Sequence, residues 1–224
     1  MPTFDAVFFD LDGTLADTAP DLAAAANRVV ADHGRAPVAY ELLRPVASHG
    51  ARGLIGAAFG KTPDDPDFPA LRDAFLNYYE ADIAAHTRLF DGMEEVLRGL
   101  EQAGLPWGIV TNKIARFTVP LVEAIGLAPR AAAVVSGDTA SHPKPHPAPL
   151  LHAAELCGVD PARCAYVGDD LRDIQAGKAA GMTTITAAYG YCGEGPPPEA
   201  WEGTYLVRHA SELLPLLLAP VTAK

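Results

Sequence analysis

Residues 4–18 read "FDAVFFDLDGTLADT", and within them an apolar run ends in two carboxylates, Asp10 and Asp12, followed at once by Gly13 and Thr14. Residues 4–10 are rich in Phe and Val and apolar on both faces, the pattern of a central parallel strand covered by helices above and below. Side chains two apart in an extended chain share a face, so such a strand would deliver Asp10 and Asp12 to one point. Gly13 lets the backbone turn tightly there, and NH groups exposed by the turn can hold phosphate oxygens.

Outward from this stretch, Thr18 reads as the N-cap of a helix, with Pro20 in its first turn and Asp21 at capping-box spacing, running to Gly34. Residues 41–59 and 67–86 also carry helical patterning, separated by the turn-rich "GKTPDDPDFP". No strand is expected between about 17 and 86. Alternation resumes near Phe90: helices at 92–103, 115–125, 147–157, 171–180 and 210–218 interleave with strands at 106–112, 132–137, 164–170 and 183–187 and a short "TYLV". Strands alternating with helices of this length predict a Rossmann-like, doubly wound, mainly parallel α/β core over residues 1–16 and 87–224, with an all-helical module inserted at 17–86.

The 224 residues suffice for a substantial core. A net charge of −11 argues against a non-specific nucleic-acid binder, which needs a basic face. No apolar stretch approaches the roughly 20 residues that span a bilayer, and the N-terminus lacks the pattern of a secretory signal, so a cytoplasmic protein with no membrane partner, monomeric or homodimeric, is expected. Cys157, Cys164 and Cys192 form no CxxC pair and read as thiols. His142 and His146 have no third ligand nearby and read as loop residues.

In open α/β sheets the working site lies beyond the carboxyl ends of the strands. Four loops qualify: one with Asp10 and Asp12, one with Thr111, Asn112 and Lys113, one with Lys144, and one with Asp169, Asp170 and Asp173. Carboxylates gathered in a partly dry cleft raise one another's pKa unless a cation compensates, and Mg²⁺ suits oxygen ligands shared with a phosphate. Asp10 is the candidate nucleophile on phosphorus. Asp12 would protonate the leaving alkoxide and later deprotonate the attacking water.

"DLDGTLADT", "VTNK", "KPHP" and "GDDLRD", in that order, resemble the four motifs of the haloacid dehalogenase superfamily over nearly the whole chain. The resemblance implies a Mg²⁺-dependent phosphomonoesterase with Asp10 as nucleophile and Asp12 as acid/base. It puts Asp10, Asp169 and the backbone carbonyl of Asp12 on the metal, and Thr111 and Lys144, with Asn112 beside them, on the phosphoryl group. Asp173 would support the metal waters or Lys144, and Asp170 stands where a serine is common. The helical module matches an inserted cap, in which Arg44, His49 and Arg52 are candidates for an anionic substrate group, Arg52 foremost. Within the superfamily the chain resembles bacterial phosphoglycolate phosphatases. Through "SHGARGLI", "LPWGIVTNKIARF" and "VGDDLRDI" it is similar to phosphatases acting on N-acetylmuramic acid 6-phosphate in peptidoglycan recycling. That ester is the expected substrate and 2-phosphoglycolate the alternative; a sugar phosphomutase and a non-catalytic phosphate sensor are weaker ones.

Overall fold

The computed structural model describes residues 4–219. In chain order its elements are β1 (Ala6–Phe9), β2 (Ala16–Asp17), α1 (Ala19–Asp32), α2 (Tyr40–Leu43), α3 (Gly50–Phe59), α4 (Phe68–Ala81), β3 (Arg88–Leu89), α5 (Met93–Gln102), β4 (Trp107–Val110), α6 (Ala115–Ala124), β5 (Ala133–Val135), α7 (Ala148–Cys157), β6 (Cys164–Gly168), α8 (Leu171–Ala179), β7 (Thr183–Ala187), β8 (Tyr205–Val207) and α9 (Leu213–Leu218). Six strands form one sheet in the order β5-β4-β1-β6-β7-β8, and every pairing in it is parallel.

Every residue of β1 is buried, because it lies between β4 and β6 with helices on both faces. Val7 and Phe9 join a cluster with Met93 and Leu97 of α5, Leu121 of α6 and Leu213 of α9. Ala6 and Phe8 point the other way, into a cluster with Leu150 and Ala153 of α7 and Ala176 of α8. The period-two alternation of one strand thus closes both layers, as a doubly wound sheet requires.

Helices α1 to α4 bury a third cluster, built from Leu22, Val29, Leu54, Ile55, Leu71, Phe75 and Tyr79 and joined from outside by Phe117 and Tyr191. Here the structure differs from several sequence expectations. Thr18 precedes α1 without capping it through its side chain, since its hydroxyl donates to Asp12. Asp21 closes no capping box; it accepts from the backbone of His86 and Thr87 and from the Thr87 hydroxyl. The expected helix at 41–59 is three pieces, α2, a 3-10 segment Arg44–His49 that contains Pro45, and α3. Pro45 has no NH to donate, and Gly50 at φ +54 turns the chain where α3 starts. The helix expected at 67–86 stops at Ala81. The short antiparallel ribbon of β2 and β3, where the chain leaves and re-enters the sheet region, carries no sequence signal: Ala16 pairs with Leu89 and Asp17 with Arg88. No helix among the described residues is long and apolar enough to cross a membrane.

Candidate active site

The carboxyl ends of β1, β4 and β6 point the same way, so the loops that follow them converge. Asp10 follows β1 directly, its NH still held by the Val167 carbonyl of β6 at 2.9 Å. Its carboxylate accepts from the Leu11 NH at 2.8 Å and lies 3.0 Å from the Lys144 ammonium. Asp12 faces Lys113 at 3.0 Å and accepts from the Thr18 hydroxyl. Gly13 has φ +84, and a Cβ there would sit 2.1 Å from an Asp169 carboxylate oxygen, so a side chain is excluded on both counts.

Asp169 is fully buried after β6, accepting from the Thr14 hydroxyl at 2.8 Å and the Tyr191 NH at 2.9 Å. The Tyr191 hydroxyl, at the other end of the same residue, accepts from the NH groups of Thr18 and Ala19 at 2.7 and 2.9 Å and donates to Asp17. One tyrosine thereby ties the Asp169 loop to the start of α1.

Lys144 is 3% exposed, with its ammonium among Asp10, Asp173 at 2.7 Å, the Tyr166 hydroxyl at 2.8 Å and the Val110 carbonyl at 3.0 Å. Burial by itself would lower its pKa; the charges of Asp10 and Asp173 outweigh this and raise it. Asp10 is pushed up to about 7, chiefly by burial and further by Asp173 and Asp12, against the pull of Lys144. Burial, reinforced by Asp10 and Asp173, raises Asp169 well above the usual carboxylate range.

Asp10, Asp169 and Asp173 each offer an oxygen within 4.8 Å of the others. Such a set suits a hard divalent cation, which would relieve the repulsion that raises these pKa values. Asp173 is engaged at both oxygens, one with Lys144 and the other capping α8 through the Asp170 NH at 3.0 Å, and Asp169 likewise accepts at both, from Thr14 and Tyr191.

A cavity of about 290 Å³ opens over Asp10, lined by the polar Asp12, Thr111, Lys113 and Lys144 and by the apolar and aromatic Leu22, Phe75, Leu76, Tyr79 and Phe117. Asn112 borders this cavity, yet its amide is committed: it donates to the Lys144 carbonyl and accepts from the Lys144 NH, both at 2.9 Å, so it fastens the Lys144 loop. Asp170 is turned from the acidic trio. It caps α8, holds the Arg172 guanidinium through both oxygens at 2.9 and 2.7 Å, and faces His49 at 3.7 Å. Arg172 in turn donates to the Ser48 carbonyl at 3.2 Å, bridging the β6 loop to the helical module.

Arg52 is exposed and lies outside the lining of the cavity over Asp10; it borders a neighbouring groove with Gly53, Gly56 and Glu194. Arg44 stacks on Tyr191, 4.9 Å from the ring centroid. Sequence reasoning placed Lys113 in a site loop but gave it no role, and assigned none at the site to Arg172, Tyr79 or Tyr191. Lys113 and Arg172 stand inside motifs already quoted, whereas the two tyrosines reach the site only through the packing of distant segments.

The fold and this centre define an α/β enzyme whose chemistry is organised around buried carboxylates at the ends of parallel strands. The sequence pattern of the haloacid dehalogenase-like hydrolases matches residues 4–181, and the chain belongs to that family. It is 43% identical to an N-acetylmuramic acid 6-phosphate phosphatase of Pseudomonas aeruginosa over 95% of this chain and 94% of that one. It is 48% identical to a phosphoglycolate phosphatase of Xylella fastidiosa over 90% and 87% respectively. The crystal structure of a predicted phosphoglycolate phosphatase from Haemophilus somnus superposes with a TM-score of 0.85 at 27% identity, covering 96% of this chain and 99% of that one. The chain is accordingly a phosphatase of this family.

Proposed function

We propose that the protein hydrolyses the phosphomonoester of N-acetylmuramic acid 6-phosphate, with Mg²⁺ as cofactor and Asp10 as nucleophile. The observation that carries the substrate reading is the cavity of about 290 Å³ that runs from Asp10 to an apolar and aromatic wall on α1, α4 and α6. A two-carbon ester would occupy only the part beside Asp10, whereas a sugar can fill the whole. The 43% identity to phosphatases of that name in two Pseudomonas species supports the same choice. The second reading, 2-phosphoglycolate, is favoured by the relatives of that name at up to 48% identity.

Asp10 attacks phosphorus, forming an aspartyl-phosphate as the bond to the leaving oxygen breaks. Asp12 gives that oxygen a proton and then takes one from the water that cleaves the acyl-phosphate, returning Asp10. Lys144 pairs with Asp10 at 3.0 Å and is positioned to offset charge on the phosphoryl oxygens, with Thr111 beside it in the cavity wall. Asp10 and Asp169 would hold Mg²⁺, with Asp173 fixing Lys144. When bound, Mg²⁺ supplies the positive charge that lets an anionic carboxylate approach an anionic phosphate. The helical module at 17–86 acts as a cap that excludes water from the cavity. The Thr18 hydroxyl on Asp12 joins its first linker to the acid/base.

The test is phosphate release, with Mg²⁺ and with EDTA, from N-acetylmuramic acid 6-phosphate, 2-phosphoglycolate and glucose 6-phosphate at equal concentration. The expected result is Mg²⁺-dependent release fastest from the muramate ester. Preference for phosphoglycolate would transfer the assignment to the second reading, and isomerisation without release would replace hydrolysis by phosphoryl migration.

A further inference from the structure

Two lysines of the site divide the carboxylates Asp10 and Asp12 between them. Lys144 serves Asp10, at 3.0 Å. Lys113 forms an ion pair, among the described residues, with Asp12 alone, also at 3.0 Å, and the two side chains are only 10% and 12% exposed. The covalent step and the proton transfers given above leave Lys113 without a part.

The pairing with Asp12 is one-sided. The Lys113 ammonium and the Thr18 hydroxyl both meet Oδ1. Among the described residues no hydrogen bond or ion pair reaches Oδ2, and Asp12 lines the cavity. Two donors on one oxygen fix the plane of the carboxylate and leave the other oxygen free to give and take a proton. Alignment of this kind is what a freely rotating acid lacks.

Lys113 is itself held at both ends. Its NH donates to the Thr111 hydroxyl at 3.2 Å, and its carbonyl accepts from the Gly137 NH and from the buried Thr118 hydroxyl of α6, both at 2.8 Å. A Cβ on Gly137 would lie 2.2 Å from the Asn112 carbonyl oxygen, so the chain after β5 packs directly against this loop. The ammonium lies 4.7 Å from the centroid of the Tyr79 ring, whose negative face attracts a cation. That ring lies parallel to Phe75 and packs on Phe117, so the wall behind the ammonium is fixed as well.

We infer that Lys113 is a positioning residue for the acid/base, holding Oδ1 of Asp12 so that Oδ2 exchanges the proton with the leaving oxygen and then with water. The inference rests on the reading of Asp12 as acid/base and is independent of which ester is the natural substrate.

The experiment measures kcat/KM with Mg²⁺ for wild type, Lys113→Met and Asp12→Asn, and the melting temperature of each. The substrates are p-nitrophenyl phosphate, phenyl phosphate and whichever of the three alkyl esters named above the wild type turns over fastest. Their leaving groups rise in basicity in that order, and the need for protonation rises with it. Because kcat/KM covers the steps up to departure of the leaving group, the later hydrolysis of the acyl-phosphate does not mask the effect. The expected result for Lys113→Met is a loss on the alkyl ester about tenfold or more greater than on p-nitrophenyl phosphate, with phenyl phosphate between, in the same order as for Asp12→Asn. Equal losses on all three overturn the inference, because Lys113 would then serve the phosphoryl group they share or the fold. A loss on the alkyl ester alone also overturns it, since Lys113 would then contact a substituent of that substrate. If Asp12→Asn shows the leaving-group dependence and Lys113→Met does not, the inference fails and the acid/base reading stands; if Asp12→Asn lacks it, both fall. Should Lys113→Met melt far below the wild type, Lys113→Gln carries the same comparison with the same outcomes.

Discussion

Asp10 joins burial to reactivity: it is 7% exposed, ends the central strand, and is held between one ammonium and two further carboxylates, Asp169 and Asp173. Replacing it by asparagine keeps the shape and removes the nucleophile. Turnover of Asp10→Asn should fall on the order of a thousandfold or more in a phosphate-release assay, with a melting temperature no lower than wild type, since a buried carboxylate under repulsion is gone. Substantial retained activity would refute the covalent route. At this scale the side chains' positions were legible wherever a residue stands in a loop after a strand, as for Asp10, Asp12, Lys144 and Asp169, which the fold brings together. They were not legible for Asn112, Asp170 or Arg52, because the direction of a side chain depends on partners remote in sequence: the Lys144 backbone for Asn112, and Ser48 and His49 beyond Arg172 for Asp170.

At the scale of elements, the connections between the sheet and α1 to α4 matter most. Asp21 sits in the first turn of α1 and gathers the NH groups of His86 and Thr87 and the Thr87 hydroxyl, at 2.8 to 3.1 Å, just where the chain comes back toward β3. Asp21→Ala leaves those donors without an acceptor in a site that is 3% exposed at Asp21 and 1% at Thr87. The expected cost is about 2 kcal/mol or more, read as a drop of roughly 4–8 °C in melting temperature for a domain of this size. A drop under about 1 °C would mean that the backbone there finds other acceptors. The sequence showed Asp21 as a capping-box residue, since spacing alone records only local options. The structure uses it at a separation of 65 residues because the returning segment brings donors that the helix start does not offer.

For the whole molecule, the acidic centre makes stability depend on pH and on metal. Asp10 and Asp169 have folded-state pKa values raised above the ordinary carboxylate, Asp10 to about 7. In the metal-free protein the folded state therefore binds more protons than the unfolded state between about pH 4 and pH 7, so this contribution to stability is present at acid pH and lost as pH rises through that window. In EDTA the melting temperature should fall between pH 5 and pH 8, and Mg²⁺ should raise it more at pH 8, where the carboxylates are ionised and need a cation. A Mg²⁺ increment equal at both pH values would contradict this account. The sequence by itself determined the alternation of strands and helices, the parallel sheet and the four loops at its carboxyl edge, because apolar periodicity and turn residues act locally and the topology places such loops together. Only the tertiary structure decided which way each polar side chain turned and that Tyr191 ties the Asp169 loop to α1. These depend on contacts between segments far apart in the chain, and no local pattern encodes where such segments meet.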